Sequence, residues 1–153
     1  MRRNDKQITD QKLMEEILSN NTICRIALSD GEKPYVIPMN YGYNDRVFYF
    51  HTASEGTKLD LLKKNNNVCI EVTDSIELVT SDKACGFGTK YRSIICIGTA
   101  QPVTDLKQKS EGLKIIMRQH TGNPEWDIPE SAVSSVVVLK ADIEVMTGKI
   151  SGI

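Results

Sequence analysis

The chain has 153 residues, a length that fits one domain, and by size scaling it can bury roughly 68–70% of the surface that its unfolded form exposes. Hydrophobic residues make up 40% and charged residues 25%, which is ordinary for a soluble globular protein and argues against disorder. The formal net charge of -1 gives no electrostatic reason to expect nucleic acid or an acidic membrane surface as a partner.

The cysteines and the N-terminus restrict the class of protein further. The four cysteines lie far apart without a C-x-x-C pair, which argues against a zinc knuckle and a dithiol redox motif. The opening MRRNDKQITDQ has no apolar stretch typical of a secretory signal, and no apolar run approaches the ~20 residues that span a bilayer. We therefore expect one cytoplasmic domain, residues 1–153, with no membrane partner.

The first third of the chain predicts one helix and three strands. Asp10 can cap a helix whose apolar stripe is Leu13, Met14, Ile17 and Leu18, and Asn20-Asn21 would end it. Strand-like runs then cover residues 22–29, 34–43 and 46–52, with turns at 30–31 and 44–45, which predicts an antiparallel meander. Pro38 cannot donate to a ladder, so its strand should lie at an edge or be interrupted there, leaving backbone groups free for a ligand.

The rest of the chain continues this mainly β pattern. Residues 56–65 and 105–120 predict helices, the second capped by Thr104 or Asp105, and residues 68–73, 76–80, 90–103 and 134–140 predict strands, the last with an optional continuation to residue 146. Many short strands without a β-α-β rhythm favour an antiparallel barrel with peripheral helices. Neither G-x-G-x-x-G nor G-x-x-x-x-G-K-[ST] occurs.

One stretch, FHTASEGTKLDLL, predicts an anion site. Ser54, Gly56 and Thr57 stand where a strand passes into a helix, so free N–H groups and the helix dipole would point at one spot, with Lys58 adding a full charge. The alternative is that Ser54 only caps the helix and Lys58 is solvated.

A second stretch, KYRSIICIG, places Lys90, Arg92 and Ser93 at the start of the longest predicted strand. An Arg can grip a phosphate with two hydrogen bonds and a Ser hydroxyl can add one. On a regular strand Arg92 and Ser93 would face opposite sides, so both can serve one phosphate only if the strand start is bent or bulged. The alternative is a surface Arg beside a buried Ser.

His51 ends an apolar strand and has two interpretations. A single His there is often a satisfied core residue, but an imidazole can also donate or accept a proton beside a ligand. The other His, His120, lies at a helix C-terminus, where the helix dipole explains it. No cluster of His and carboxylates has the spacing of metal ligands, and neither a catalytic Cys-His pair nor a G-x-S-x-G elbow is visible.

Three segments in this order, PYVIPMNYGY, FYFHTASEGTKLDLL and YRSIICIGTA, resemble the nitroimidazole-resistance branch of the pyridoxamine-phosphate-oxidase-like flavoproteins. The resemblance covers nearly the whole chain, from Met1-Arg2-Arg3 to MTGKISG. Thr52 stands where the family has Ser, and Ile94 where Val is usual, and both substitutions keep the shape or the hydroxyl.

The resemblance implies a split β-barrel that forms a homodimer and binds FMN in a groove at the dimer interface. It implies that the isoalloxazine ring lies along Pro38, Met39 and Asn40, with its edge along His51, Thr52 and Ala53. It assigns the 5′-phosphate to Lys58, Arg92 and Ser93, with the N–H groups of Gly56 and Thr57 as further donors. Trp126, the only Trp, stands between two prolines and would either cover the flavin of the partner subunit or pack at the interface.

The expected function is that of an FMN-dependent oxidoreductase. The flavin would carry electrons from a reduced nicotinamide to a small oxidised or nitroaromatic acceptor, with His51 as the catalytic residue. Two alternatives stay open: a non-catalytic flavin-binding or redox-sensing protein, and a barrel of the same fold that holds heme or a deazaflavin.

Overall fold

The computed structural model describes residues 4–152, so Met1-Arg2-Arg3, with which the resemblance begins, lies outside the described residues. The helices are α1 Gln11–Asn20, α2 Thr57–Lys64, α3 Leu106–Thr121 and α4 Glu130–Ser135. The strands are β1 Gln7–Ile8, β2 Ile23–Ser29, β3 Pro34–Asn40, β4 Gly42–Asn44, β5 Val47–Thr52, β6 Asn67–Val79, β7 Gly88–Pro102 and β8 Val137–Ser151. Across residues 4–152, no helix combines the length and the apolar character needed to cross a membrane.

The strands form one antiparallel sheet, which confirms the predicted mainly β class. The strand order is β3-β2-β6-β7-β8-β5-β4, and β1 adds to β8. The sheet curls until β3 and β5 contact each other, although no ladder between these two strands is found in the described part of the chain. The barrel is therefore split along a seam between β3 and β5, and β3 has a free edge there.

The antiparallel pairing of consecutive segments predicted for residues 22–52 is found, but the strand predicted over 34–43 breaks at Tyr41. The Tyr41 side chain is fully buried and its hydroxyl donates to the Leu18 carbonyl oxygen at 2.7 Å. Gly42 follows, where a Cβ would lie 2.5 Å from the Ile116 nitrogen, so α3 can pack against the chain here only because the residue is glycine. Two hairpins result, β2–β3 and β4–β5, at opposite ends of the sheet.

The turn of the second hairpin lies one residue later than predicted. Asn44 pairs with Val47, which leaves Asp45 and Arg46 as a two-residue loop with φ of 48° and 63°. Positive φ at both central residues is the geometry of a type I′ turn, whose twist matches that of the flanking strands.

Two further boundaries differ from the prediction. The strands predicted over 68–73 and 76–80 are one strand, β6, with a register shift between Asp74 and Glu77 and a positive φ of 54° at Ser75. The strand predicted from residue 134 begins only at Val137, because the residues before it form α4, which is anchored by the buried Val133. The continuation of this strand reaches Ser151, well beyond residue 146.

Alternate residues along the strands point inward and form the core of the barrel. Tyr41, Tyr43, Phe48 and Phe50 form an aromatic cluster with ring centroids 5.0 to 6.1 Å apart. Cys24 and Cys96 are also buried, and burial raises the pKa of each thiol to about 12. A thiol with such a pKa is protonated at neutral pH, so these cysteines pack as small apolar residues and are not nucleophiles.

Candidate functional site

A groove follows the seam of the barrel and has a volume of about 440 Å³. It is lined by five residues of β3, one of β5 and one of α2: Tyr35, Ile37, Pro38, Met39, Asn40, His51 and Lys58. β3 ends the sheet order, which confirms that the strand containing Pro38 is an edge strand. The structure thus brings together the predicted ring residues Pro38, Met39 and Asn40, along with His51 and Lys58. Tyr35 and Ile37 were not predicted as site residues, although their alternation with Met39 places all three on one face.

Helix α2, which contributes Lys58 to the groove, has no side-chain cap at its N-terminus. Its N-cap is Gly56, which has a φ of 129° and provides no side-chain hydrogen bond. The alternative in which Ser54 caps the helix is therefore wrong, and among residues 4–152 no side chain is found bonded to the first N–H groups of α2. An uncapped helix N-terminus carries a partial positive charge and free donors, which favour an anion.

Lys58 adds a full charge to this helix end. Its side chain is partly buried, and its Nζ donates to the Oγ1 of the buried Thr52 at 2.6 Å. The hydroxyl of Thr52 therefore fixes the ammonium group at the groove, and Lys58 is not the freely solvated residue of the alternative interpretation. Ala53 and Gly56 lie in the link between β5 and α2, Thr57 is the first residue of α2, and all three are exposed.

Arg92 lies elsewhere in the chain and already has a partner. Its Nε and Nη2 donate to the two carboxylate oxygens of Asp74 at 2.8 and 2.6 Å, and only 21% and 15% of the two side chains are exposed. Burial acts to raise the pKa of Asp74, but the hydrogen bonds and charge of Arg92 outweigh burial and hold that pKa below its ordinary value. The guanidinium group thus joins β6 and β7 at two residues that stand directly opposite each other in the ladder.

Ser93 faces the opposite side of β7. The bulge near this position lies in β6, between Asp74 and Glu77, while β7 keeps its regular alternation from Lys90 to Arg92 and onward. Ser93 lines a separate surface pocket of about 300 Å³ with Ile95 and three residues of β8. Within one chain, therefore, Arg92 and Ser93 join neither each other nor Lys58, and the predicted phosphate set is not assembled.

His51 connects two cavities. It is exposed, and the structure describes no hydrogen bond to its imidazole in residues 4–152, so the satisfied-core interpretation is wrong. His51 lines the seam groove and also a cleft of about 340 Å³ between α3, the following loop and α4. Trp126 lines this cleft, and its Nε1 donates to Thr121 Oγ1 at 3.1 Å. Trp126 does not line the groove of its own chain.

These features define a protein with a split antiparallel barrel and a cation at an uncapped helix end beside its seam. The family model for pyridoxamine 5'-phosphate oxidase matches residues 10–150, and the chain belongs to this family. No curated protein matches the chain.

Solved structures are similar to the chain over most of its length. A candidate 5-nitroimidazole antibiotic resistance protein from Bacteroides thetaiotaomicron is 34% identical with a TM-score of 0.84, and the match covers 94% of this chain and 86% of that one. This likeness confirms the resemblance to the nitroimidazole-resistance branch. The flavocytochrome Anf3 from Azotobacter vinelandii is 19% identical (TM-score 0.84; 99% and 72% covered), and the FAD and heme binding protein from Mycobacterium smegmatis is 17% identical (TM-score 0.85; 96% and 74% covered). These two support the fold.

Proposed function

We propose that the protein is a flavin-dependent oxidoreductase that holds FMN in the seam groove and reduces small oxidised aromatic molecules. The observation that carries this proposal is the position of Lys58, which lies in the uncapped first turn of α2, at a groove bordered by the free edge of β3. The first two suit a phosphate, and the third offers backbone groups and apolar side chains to a flat ring. These features support FMN as the ligand of the groove.

The charges of the groove favour FMN over FAD. Lys58 is the only Lys or Arg that lines the groove in residues 4–152, which suits one phosphoryl group better than a diphosphate.

When bound, the flavin supplies two-electron chemistry, and the protein supplies binding and orientation. For a nitroaromatic acceptor the balanced reaction is nitro compound plus reduced nicotinamide plus one proton, giving the nitroso compound, oxidised nicotinamide and water. We propose His51, which lines the groove, as the group that donates a hydrogen bond or proton to an oxygen of the acceptor.

A second copy of the chain is part of this proposal, because an outer face of the sheet exposes apolar side chains. One row of this face runs in register across five strands and consists of Val36, Ala27, Cys69, Ile97 and Val145. Val36, Ile97 and Val145 are 59%, 49% and 49% exposed. A row of exposed β-branched side chains on a sheet is typical of a buried interface.

The same face explains the position of Ser93. Ser93 points outward from β7 in the same alternation as Ile97, toward the face at which we propose the second copy, whereas Arg92 points inward to Asp74. We therefore propose Ser93 as the flavin contact that comes from the second copy. Ile97→Glu should convert a dimer to a monomer in light scattering after size exclusion, whereas Leu106→Glu, at an exposed position of α3, should not. A parent protein that runs as a monomer would contradict this part of the proposal.

The main test is flavin binding followed by turnover. Purified protein incubated with FMN should show the visible flavin bands after gel filtration and a raised melting temperature. It should then oxidise a reduced nicotinamide when a nitroaromatic or quinone acceptor is added. Protein that neither takes up FMN nor gains stability would refute the proposal, and protein that binds FMN without turnover would favour the binding or sensing alternative. An intense Soret band would indicate heme instead.

A further inference from the structure

We propose that the cleft between His51 and Trp126 is the binding site for the electron acceptor, and that it takes a small flat aromatic molecule that is neutral or cationic. This inference rests on the proposed function. The cleft has a volume of about 340 Å³ and is separate from the seam groove. His51 is the residue that lines both cavities, so a molecule in the cleft contacts the same imidazole that borders the groove.

The lining of the cleft specifies an apolar ring. Leu113, Ile116 and Met117 of α3 form one side, and Ala132 and Val136 form the other. By contrast, the seam groove contains an ammonium group and a free strand edge, which suit a phosphorylated cofactor. The two adjoining cavities thus differ in chemistry as a cofactor site and an organic acceptor site would.

The aromatic wall of the cleft is held in place by its own loop. Thr121 Oγ1 receives the indole N–H at 3.1 Å and donates to the Met117 carbonyl oxygen at 2.7 Å. The Glu125 N–H donates to Asn123 Oδ1 at 3.0 Å, and Asn123 Nδ2 donates to the Glu125 carbonyl oxygen at 3.1 Å. Pro124 and Pro129 restrict the backbone on both sides. An indole fixed in this way offers a flat face for stacking at little cost in conformational entropy.

One charge faces this apolar cleft. Asp127 lines it, and the structure describes no ion pair to its carboxylate in residues 4–152. A carboxylate at the mouth repels an anionic ring and attracts a cationic one, while a neutral ring is unaffected. Because Asp127 is exposed, the discrimination should be only about threefold to fivefold, as for exposed ion pairs.

The lone Trp provides a direct binding measurement. Nitroaromatic rings quench indole fluorescence on contact, and Trp126 is the only Trp in the chain. With FMN-loaded protein, 4-nitrobenzyl alcohol should quench this fluorescence saturably, and its half-saturation concentration should agree with its KM. Ala132→Leu fills the cleft from α4 and should raise both values more than tenfold, whereas Ser134→Leu, an exposed position on the same helix, should leave them unchanged.

The charge of the acceptor provides a second test that is independent of the fluorescence measurement on Ala132→Leu. Asp127→Asn should tighten binding of 4-nitrobenzoate about threefold to fivefold, weaken binding of 4-nitrobenzylammonium similarly and leave 4-nitrobenzyl alcohol unchanged. Glu125→Gln, in the same loop but outside the cleft, should change none of the three.

FMN uptake is measured for every variant, so its absence from the parent protein would refute the proposed function. Normal FMN uptake with no effect of Ala132→Leu on quenching or KM would overturn this inference alone. A change in the oligomeric state of Ala132→Leu, measured as the mass of the particle in light scattering, would overturn it too, because a second copy would then occupy the cleft.

Discussion

Lys58→Met tests the assignment of the phosphate end of the groove. The substitution keeps the length of the side chain but removes the ammonium group that Thr52 holds at 2.6 Å. A hydrogen bond to a charged group contributes about 1.5–3 kcal/mol. At about 1.4 kcal/mol for each factor of ten, FMN affinity should fall about 10- to 150-fold. The uncapped N-terminus of α2 remains in the variant, so binding should weaken without being abolished.

The measurement is a paired titration with FMN and with riboflavin, which differ by the phosphate. Lys58→Met should weaken FMN binding while leaving riboflavin binding close to that of the parent. Lys63→Met is the matched control, because Lys63 lies at the other end of the same helix in an exposed pair with Asp60. If both flavins lost affinity equally in a variant with an unchanged melting temperature, the phosphate would lie elsewhere and the assignment of the anion site would be refuted.

Three further substitutions test other parts of the structure. His51→Ala should lower turnover with a nitroaromatic acceptor about 100-fold or more while FMN affinity stays close to the parent value, and loss of flavin from a folded variant would instead make His51 a holding residue. Asp74→Asn should lower the free energy of unfolding at neutral pH by about 1.5–3 kcal/mol, because it removes the carboxylate paired with Arg92. Since that pairing depresses the pKa of Asp74, the stabilisation is present above pH 3.8 and is lost as the pH falls through the folded pKa, so melts of parent and variant should converge in acid; a constant gap would contradict the ion pair. Gly42→Ala should destabilise by about 1–3 kcal/mol in denaturant melts, because its Cβ would press on the backbone of α3, whereas Gly88→Ala, with its nearest neighbour at 3.9 Å, should have little effect.

Local chemistry was readable from the sequence wherever one short segment determines it. Asp10 caps α1 by accepting from Lys12 N, and Asp105 caps α3 by accepting from Gln108 N, as the patterns predict. Pro38 correctly indicated an edge strand, and the seam groove gathers five of the residues to which the resemblance assigned the flavin.

Features that depend on distant residues were not readable in this way. The ion pair of Arg92 with Asp74 joins two neighbouring strands whose pairing only the fold establishes, and nothing in YRSIICIG shows that the guanidinium group is already occupied. Helix α4, with the sequence ESAVSS, has low helix propensity and is too short for a helical period, so the buried Val133 decides its conformation. The cleft of Trp126 combines residues of β5, α3 and α4, whose proximity only the fold establishes.

The open seam also bears on how the molecule stays dispersed in solution. A strand with unpaired N–H and C=O groups can recruit a strand from another molecule and begin uncontrolled aggregation. Prolines are tolerated in strands where the nitrogen faces away from the ladder. Strand β3 carries two of them, Pro34 and Pro38, which are four residues apart, so their nitrogens face the same side of the strand. The rim of the barrel therefore lacks the regular row of donors that an invading peptide would need, and it stays accessible to a small molecule while discouraging polymerisation.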